Sequence, residues 1–212
     1  MGTCETTTVA SKGSSTMIPE VIKKKSIYEK YYFGEIIWKG NFGTVTLCSN
    51  QADPTFKVAI KSMKKQRLWM SLKGILEEVR LLRSLDHPNI IKYYEMDEDR
   101  EYIYLVMEYC SGGELFERIK EKESLCESEA ATFIYKILRA LWHCHKVGIA
   151  HRDIKPENIL FIRKEAESAI KIIDFGLARS FSENNATFST VVGGAYYLAP
   201  ECLVGHILLL VI

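Results

Sequence analysis

Apolar positions along this chain follow two rhythms, and the change between them divides it. Short β-branched and aromatic runs come first: Tyr31-Tyr32-Phe33, Ile36-Ile37, Val45 to Leu47 and Val58 to Ile60. Such runs, separated by glycines and polar residues, predict strands, with Gly40 and Gly43 marking the first turn. Leu72 to Leu85 then shifts to helical spacing, with Ile75, Leu76, Val79, Leu82 and Leu85 on one face, until Asp86-His87-Pro88-Asn89 breaks it. Ile103 to Met107 reads as one more strand. Ser111-Gly112-Gly113-Glu114 has capping-box spacing and predicts the start of a short helix. Ala130 to Lys146 is the longest helical pattern. Its predicted buried stripe is Phe133, Ile134, Ile137, Leu138, Leu141 and Trp142, and Gly148 ends it. Strands followed by helices predict an α+β chain of two lobes.

Composition narrows the classes without choosing among them. The 212 residues, 47% hydrophobic and 26% charged, suit a globular protein with a sizeable core. A net charge of +1 gives no reason to expect a nucleic-acid partner. The six cysteines show no C-x-x-C spacing, which fits free thiols in a reducing, cytoplasmic setting. His143-Cys144-His145 lacks a second ligand pair and reads as part of a helix. No apolar run approaches the ~20 residues of a membrane span. Residues 1 to about 27 read as a polar tail without periodicity. It begins Met1-Gly2-Thr3-Cys4-Glu5-Thr6, which fits N-myristoylation at Gly2 with Cys4 available for a second acyl chain. Together with Lys23-Lys24-Lys25, these would tie the protein to a membrane surface.

The chemistry concentrates in His151-Arg152-Asp153-Ile154-Lys155-Pro156-Glu157-Asn158, followed by Asp174-Phe175-Gly176. The first segment puts an acid, a cation and an amide within six residues, and the second adds another carboxylate. Phosphoryl transfer needs such a set: a carboxylate for the attacking hydroxyl, a cation for the phosphate, and oxygen ligands for Mg²⁺. Both segments match the catalytic and magnesium-binding loops of protein kinases, and the chain resembles the Ser/Thr class, nearest the calcium-dependent and calmodulin-dependent group.

The resemblance implies a small β-rich lobe with one main helix (about 28–107), a hinge (108–113) and an incomplete helical lobe (114–212), with ATP between the lobes. Within Val58-Ala59-Ile60-Lys61 it implies that Lys61 holds the α- and β-phosphates. Glu78 is the expected partner of Lys61, with Glu77 as the alternative on a neighbouring helix face. Trp38-Lys39-Gly40-Asn41-Phe42-Gly43-Thr44-Val45 corresponds to the glycine-rich loop, but Trp38 stands where the first glycine is expected. Gly40 and Gly43 would let the backbone approach phosphates. Met107 takes the gatekeeper place, Glu108 and Cys110 would meet the adenine edge, and Val45, Ala59 and Leu160 would sandwich the ring. Glu114 would reach the ribose, and Glu157 joins the nucleotide-binding set.

In the catalytic loop, Asp153 would accept the hydroxyl proton of a Ser or Thr on a protein substrate, and Lys155 would neutralise the γ-phosphate. Asn158 and Asp174 would hold Mg²⁺, and His151 reads as a packing residue. Arg152 resembles the arginine that pairs with an activation-loop phosphate, with Ser182, Thr187, Ser189 and Thr190 as candidate acceptors. Gly194 stands where the family usually has threonine, and the family's later helices are expected to be missing after Glu201. The competing reading is an impaired, kinase-like module that binds nucleotide or partners without transfer. No twelve-residue calcium loop is present.

Overall fold

The computed structural model describes residues 25–40, 43–65, 79–165, 168–181, 187–188, 196–198, 200 and 207–208. The first lobe is a five-stranded antiparallel sheet. Its strands are β1 (Tyr31–Gly40), β2 (Gly43–Asn50), β3 (Lys57–Lys64), β4 (Tyr93–Glu98) and β5 (Tyr102–Glu108), in the spatial order β1-β2-β3-β5-β4.

The two faces of this sheet have different coverings because side chains alternate along each strand. Cys48, Val58, Ile60, Tyr104 and Val106 pack on one face with Ile27 and Tyr31. Ile27 comes from α1 (Ile27–Lys30), a single turn laid against the sheet. On the other face Met63, Ile103 and Leu105 pack with Val79, from α2, a helical run over 79–84. The predicted helix from Leu72 to Leu85 is thus seen at its C-terminal end, and its first part lies outside the described residues.

The strand β4 is absent from the sequence reading because Glu95, Asp97 and Glu98 spoil its apolar alternation. Tertiary partners make these acids tolerable. Lys30 reaches Glu95 at 2.7 Å and Asp97 at 3.2 Å, and the Tyr31 hydroxyl donates to Glu95 at 2.9 Å.

The second lobe holds α3 (Leu115–Lys122), α4 (Glu127–Lys146) and the short strands β6 (Ile149–Ala150), β7 (Ile159–Phe161), β8 (Ile170–Ile172) and β9 (Arg179–Ser180). β7 pairs with β8, and β6 with β9, both antiparallel. Its core joins Ile137, Ala140 and Cys144 of α4 to Phe161, Ile172 and Phe175, and takes in Leu81 and Leu82 of α2. The helix α2 therefore packs toward both lobes.

Two expectations about helices are corrected. Ser111 does not cap α3, which begins at Leu115 with Glu114 as N-cap; the Ser111 hydroxyl donates instead to the Ile162 carbonyl at 3.2 Å. The close run of that backbone past β7 explains Gly112: a β-carbon there would strike Phe161 and the Arg163 carbonyl. The helix α4 starts three residues earlier than predicted, with the Cys126 amide donating to Glu129 at 3.5 Å, and only part of its apolar stripe is buried. Phe133, Ile137 and Leu141 pack inward, whereas Ile134, Leu138 and Trp142 are exposed. The inward face continues instead through Ala140 and Cys144, small residues that let α4 sit close to the core. Among the described residues no helix is long and apolar enough to cross a membrane.

Candidate active site

The loop after β6 folds around a buried histidine. His151 has its ring edge-on to Phe175, centroids 4.6 Å apart. Its Nδ1 accepts from the Asp153 amide at 3.3 Å, so Nε2 carries the hydrogen and donates to the Ile173 carbonyl at 3.0 Å. Burial depresses the pKa of this imidazole, which suits a neutral ring used on both edges. One packing residue thereby joins the loop of Asp153 to the loop of Asp174. Arg152 adopts a left-handed conformation, φ 68°, and its Nε donates to the Leu177 carbonyl at 2.7 Å. Asp153 projects from this braced turn.

The Asp153 carboxylate is buried, and one of its oxygens gathers two donors. Lys155 Nζ lies 2.8 Å from Oδ2, and Asn158 Nδ2 lies 2.9 Å from the same atom. Asn158 Nδ2 also donates to the Asp153 carbonyl at 2.8 Å, fixing the amide with its oxygen turned away from Asp153. The hydrogen bond to Asp153 raises the pKa of Lys155, so the ammonium is secured in its charged form.

Asp174 is the N-cap of a single 3-10 turn (Phe175–Leu177) and also takes a left-handed conformation, φ 59°. Its Oδ1 accepts from the Gly176 amide at 3.3 Å and lies 3.5 Å from Lys61 Nζ. Lys61 is directly opposite Leu105 and two residues from Met63, so it projects from the sheet face that carries α2. This ion pair bridges the lobes. Glu78 and the alternative Glu77 lie outside the described residues.

The remaining expected site residues are placed by strand register and local contacts. Val45 opposes Lys61, while Ala59 opposes Met107, so these four sit in adjacent rows of the sheet. Gly40 and Gly43 face each other where β1 and β2 close. Leu160 forms an isolated bridge with Glu114. Burial raises the Glu114 pKa, with Glu117 and Glu157 adding to it, and burial pushes the Cys110 thiol up to about 12. Glu157 accepts from the Tyr197 hydroxyl at 3.3 Å through Oε1, while its Oε2 is buried without a hydrogen-bond partner among the described residues.

One contact was not anticipated from the sequence. Lys171 on β8 reaches Glu108, at the end of β5, at 2.8 Å and donates to the Ile90 carbonyl at 3.3 Å. A lysine in a three-residue strand, isolated between isoleucines, carries no local signal of that partner. Gly194, Glu201, Gly2, Cys4 and the candidate acceptors Ser182, Ser189 and Thr190 lie outside the described residues, and of Thr187 only its place in a two-residue strand is described.

A lysine from an antiparallel sheet thus meets an aspartate of the other lobe, beside a second aspartate held by lysine and asparagine. The protein kinase domain family matches residues 31–207. This chain belongs to the protein kinase domain family. It is 39% identical over 193 residues to calcium/calmodulin-dependent protein kinase type 1 of Macrobrachium nipponense, covering 91% of this chain and 55% of that protein. It is 38% identical over 187 residues to calcium-dependent protein kinase 12 of Arabidopsis thaliana, covering 87% of this chain and 38% of that protein. With calcium-dependent protein kinase 5 of Plasmodium berghei (strain Anka) the identity is 43% over 183 residues, 85% of this chain and 31% of the relative. The chain thus spans about half the length of these kinases or less. As in a two-lobed kinase domain, the five-stranded sheet forms the small lobe, and the motif loops lie at its junction with the helical lobe.

Proposed function

We propose that this kinase domain transfers the γ-phosphate of ATP to Ser and Thr hydroxyls of proteins. The observation that carries the reading is the Asp153 carboxylate, buried and held by Lys155 and Asn158, next to a loop whose Asp174 meets Lys61. In this reading the substrate hydroxyl donates its hydrogen bond to Asp153. The hydroxyl oxygen bonds to the γ-phosphorus as the bond to the bridging oxygen breaks, ADP leaves, and the proton passes to Asp153. Lys155 balances charge on the transferring group, and Lys61 steadies the α- and β-phosphates.

The donor set fits Mg²⁺. With Nδ2 of Asn158 committed to Asp153, its amide oxygen remains for a cation, and the half-exposed Asp174 offers a hard carboxylate oxygen. Bound Mg²⁺ neutralises the phosphate oxygens. Val45, Ala59 and Leu160 would enclose the adenine, its edge meeting the backbone of Glu108 and Cys110 behind Met107, while Glu114 takes the ribose and Gly40 and Gly43 admit the phosphates. We divide the chain accordingly into a tail to about residue 27, a small lobe to 107, a hinge to 113 and a helical lobe beyond.

The test compares the full chain with Asp153→Asn and Asp174→Ala. Asp153→Asn should lower transfer to a Ser/Thr peptide by about 10²-fold or more. Asp174→Ala should weaken Mg²⁺-ATP binding in calorimetry. Phosphate appearing only on tyrosine, or full activity in Asp153→Asn, would overturn the assignment. The second reading, binding without transfer, is favoured by Trp38 at the place of the loop's first glycine. Binding of nucleotide or a protein partner with no transfer by the wild-type chain would select it.

Acylation at Gly2 and Cys4 is a separate proposal, resting on the Met1-Gly2-Thr3-Cys4-Glu5-Thr6 pattern and the Lys23-Lys24-Lys25 run. Gly2→Ala should abolish myristate incorporation and shift the protein from membrane to supernatant; no label in wild type refutes it.

A further inference from the structure

The indole of Trp38 occupies a place that the phosphate-binding reading leaves unexplained. Trp38 lies on β1 directly opposite Val45, which is itself opposite Lys61 on β3. Directly opposed residues of antiparallel strands share a face. Trp38, Val45 and Lys61 therefore form one row, on the face from which Lys61 meets Asp174. Two register shifts, between Phe33 and Ile36 and between Ile36 and Trp38, bring Trp38 into this row; without them the strand's alternation would run differently.

The ring then folds along its own strand. A β-carbon built on Gly40 would lie 2.7 Å from Cζ3 of Trp38 and closer still to Cη2 and Cζ2. The indole thus rests across the Cα of Gly40, where the hairpin closes onto Gly43, yet 45% of the residue stays exposed to solvent. Gly40 is required here by the ring, in addition to any ligand.

We infer that Trp38 is a specificity-determining residue of the nucleotide cleft, one that weakens binding of the triphosphate relative to the nucleoside. This rests on the reading of the cleft as an ATP site. The physical reason lies in the order of the row. Val45 is the central member, over the expected adenine. Lys61, on the inner strand, draws the phosphates, while Trp38 and Gly40 form the glycine-flanked edge that must come close to them. Glycines at such an edge expose backbone N–H groups to phosphate oxygens. An indole lying on Gly40 puts an apolar ring between that backbone and the anion. A triphosphate must displace the ring or sit away from the loop. A nucleoside, held by the hinge under Val45 and Ala59, meets neither demand.

The experiment measures Mg²⁺-ATP and adenosine affinities by calorimetry for the full chain, Trp38→Gly, Trp38→Ala and Lys61→Ala, with folding of each checked by circular dichroism. Removing the ring should tighten Mg²⁺-ATP binding on the order of tenfold, about 1.4 kcal/mol, and leave adenosine within about twofold. The alanine variant should follow the same direction and serves if the glycine variant does not fold. Unchanged or weaker ATP binding, or an equal shift for both ligands, would overturn the inference. Lys61→Ala separates the two ideas: if it leaves ATP affinity unchanged, the cleft reading itself fails. If it weakens ATP while ring removal does not tighten it, only the role of Trp38 fails.

Discussion

The Lys171–Glu108 pair offers a demanding test of how the two lobes are joined. Lys171 is 8% exposed, and its ammonium is shared between the Glu108 carboxylate at 2.8 Å and the Ile90 carbonyl at 3.3 Å. Among the described residues Glu108 accepts from one further donor, the Lys92 amide at 3.3 Å. At the 2.8 Å of the ion pair and an effective dielectric of about 20, the Coulomb attraction is about 6 kcal/mol, and desolvation of both ions cancels much of it. Lys171→Met keeps the stem and removes the charge. It strands a mostly buried carboxylate on one amide, with an expected loss of about 3 kcal/mol. For a chain of this size, that lowers the melting temperature by about 6–12 °C. Glu108→Gln should lose less, because its amide oxygen still accepts from Lys171. The double variant Lys171→Met/Glu108→Leu should recover much of the loss, since no unpaired charge remains. Urea unfolding followed by circular dichroism measures these variants together with the Glu108→Leu single variant, with equal slopes required for comparison. Strict additivity of the Lys171→Met and Glu108→Leu effects, or a Lys171→Met loss under about 0.5 kcal/mol, would refute the claim that this pair couples β8 to β5.

Adjacent positions on α4 should behave oppositely. Ile137→Ala, at a site 7% exposed, should cost about 2–4 kcal/mol, whereas Leu138→Gln, 56% exposed, should stay within about 0.5 kcal/mol; similar losses would show that the packed face is misassigned. Burial depresses the pKa values of His87, His145 and His151, so the unfolded chain takes up protons first as pH falls below about 6.5. Stability should therefore decline between about pH 7 and 6, by at most about 1.4 kcal/mol per pH unit for each histidine, and a flat or rising urea midpoint would contradict this. Burial raises the thiols of Cys48, Cys110 and Cys144, to about 11, 12 and 12, while Cys126 is exposed. In brief iodoacetamide labelling of the native protein mapped by mass spectrometry, Cys126 should react well before those three, and early modification of Cys48 or Cys144 would contradict their burial.

The strands β1, β2, β3 and β5 were legible because β-branched and aromatic runs are local signals, each backed by the glycines or polar residues beside it. The cluster in the candidate catalytic loop was within reach of the sequence because its acid, lysine and asparagine lie within six residues, close enough to meet through a single turn, as Asp153, Lys155 and Asn158 do. The edge strand β4 was not, since Glu95 and Asp97 become tolerable only when Lys30 and Tyr31 arrive from more than sixty residues away. Helical spacing marked α4 but not which half of its apolar stripe would be covered; the core chose Ala140 and Cys144 over Leu138 and Trp142 because close approach favours small side chains. Likewise Trp38 could be seen to replace a glycine, but its place in one row with Val45 and Lys61 depends on two register shifts in β1 and on pairing with β2. Patterning along the chain sets which segments form strands and helices and which reactive groups share a loop. Partners distant in sequence decide which charges are neutralised, which apolar faces are buried and which way a ring lies, because those energies exist only once separate segments are brought into contact.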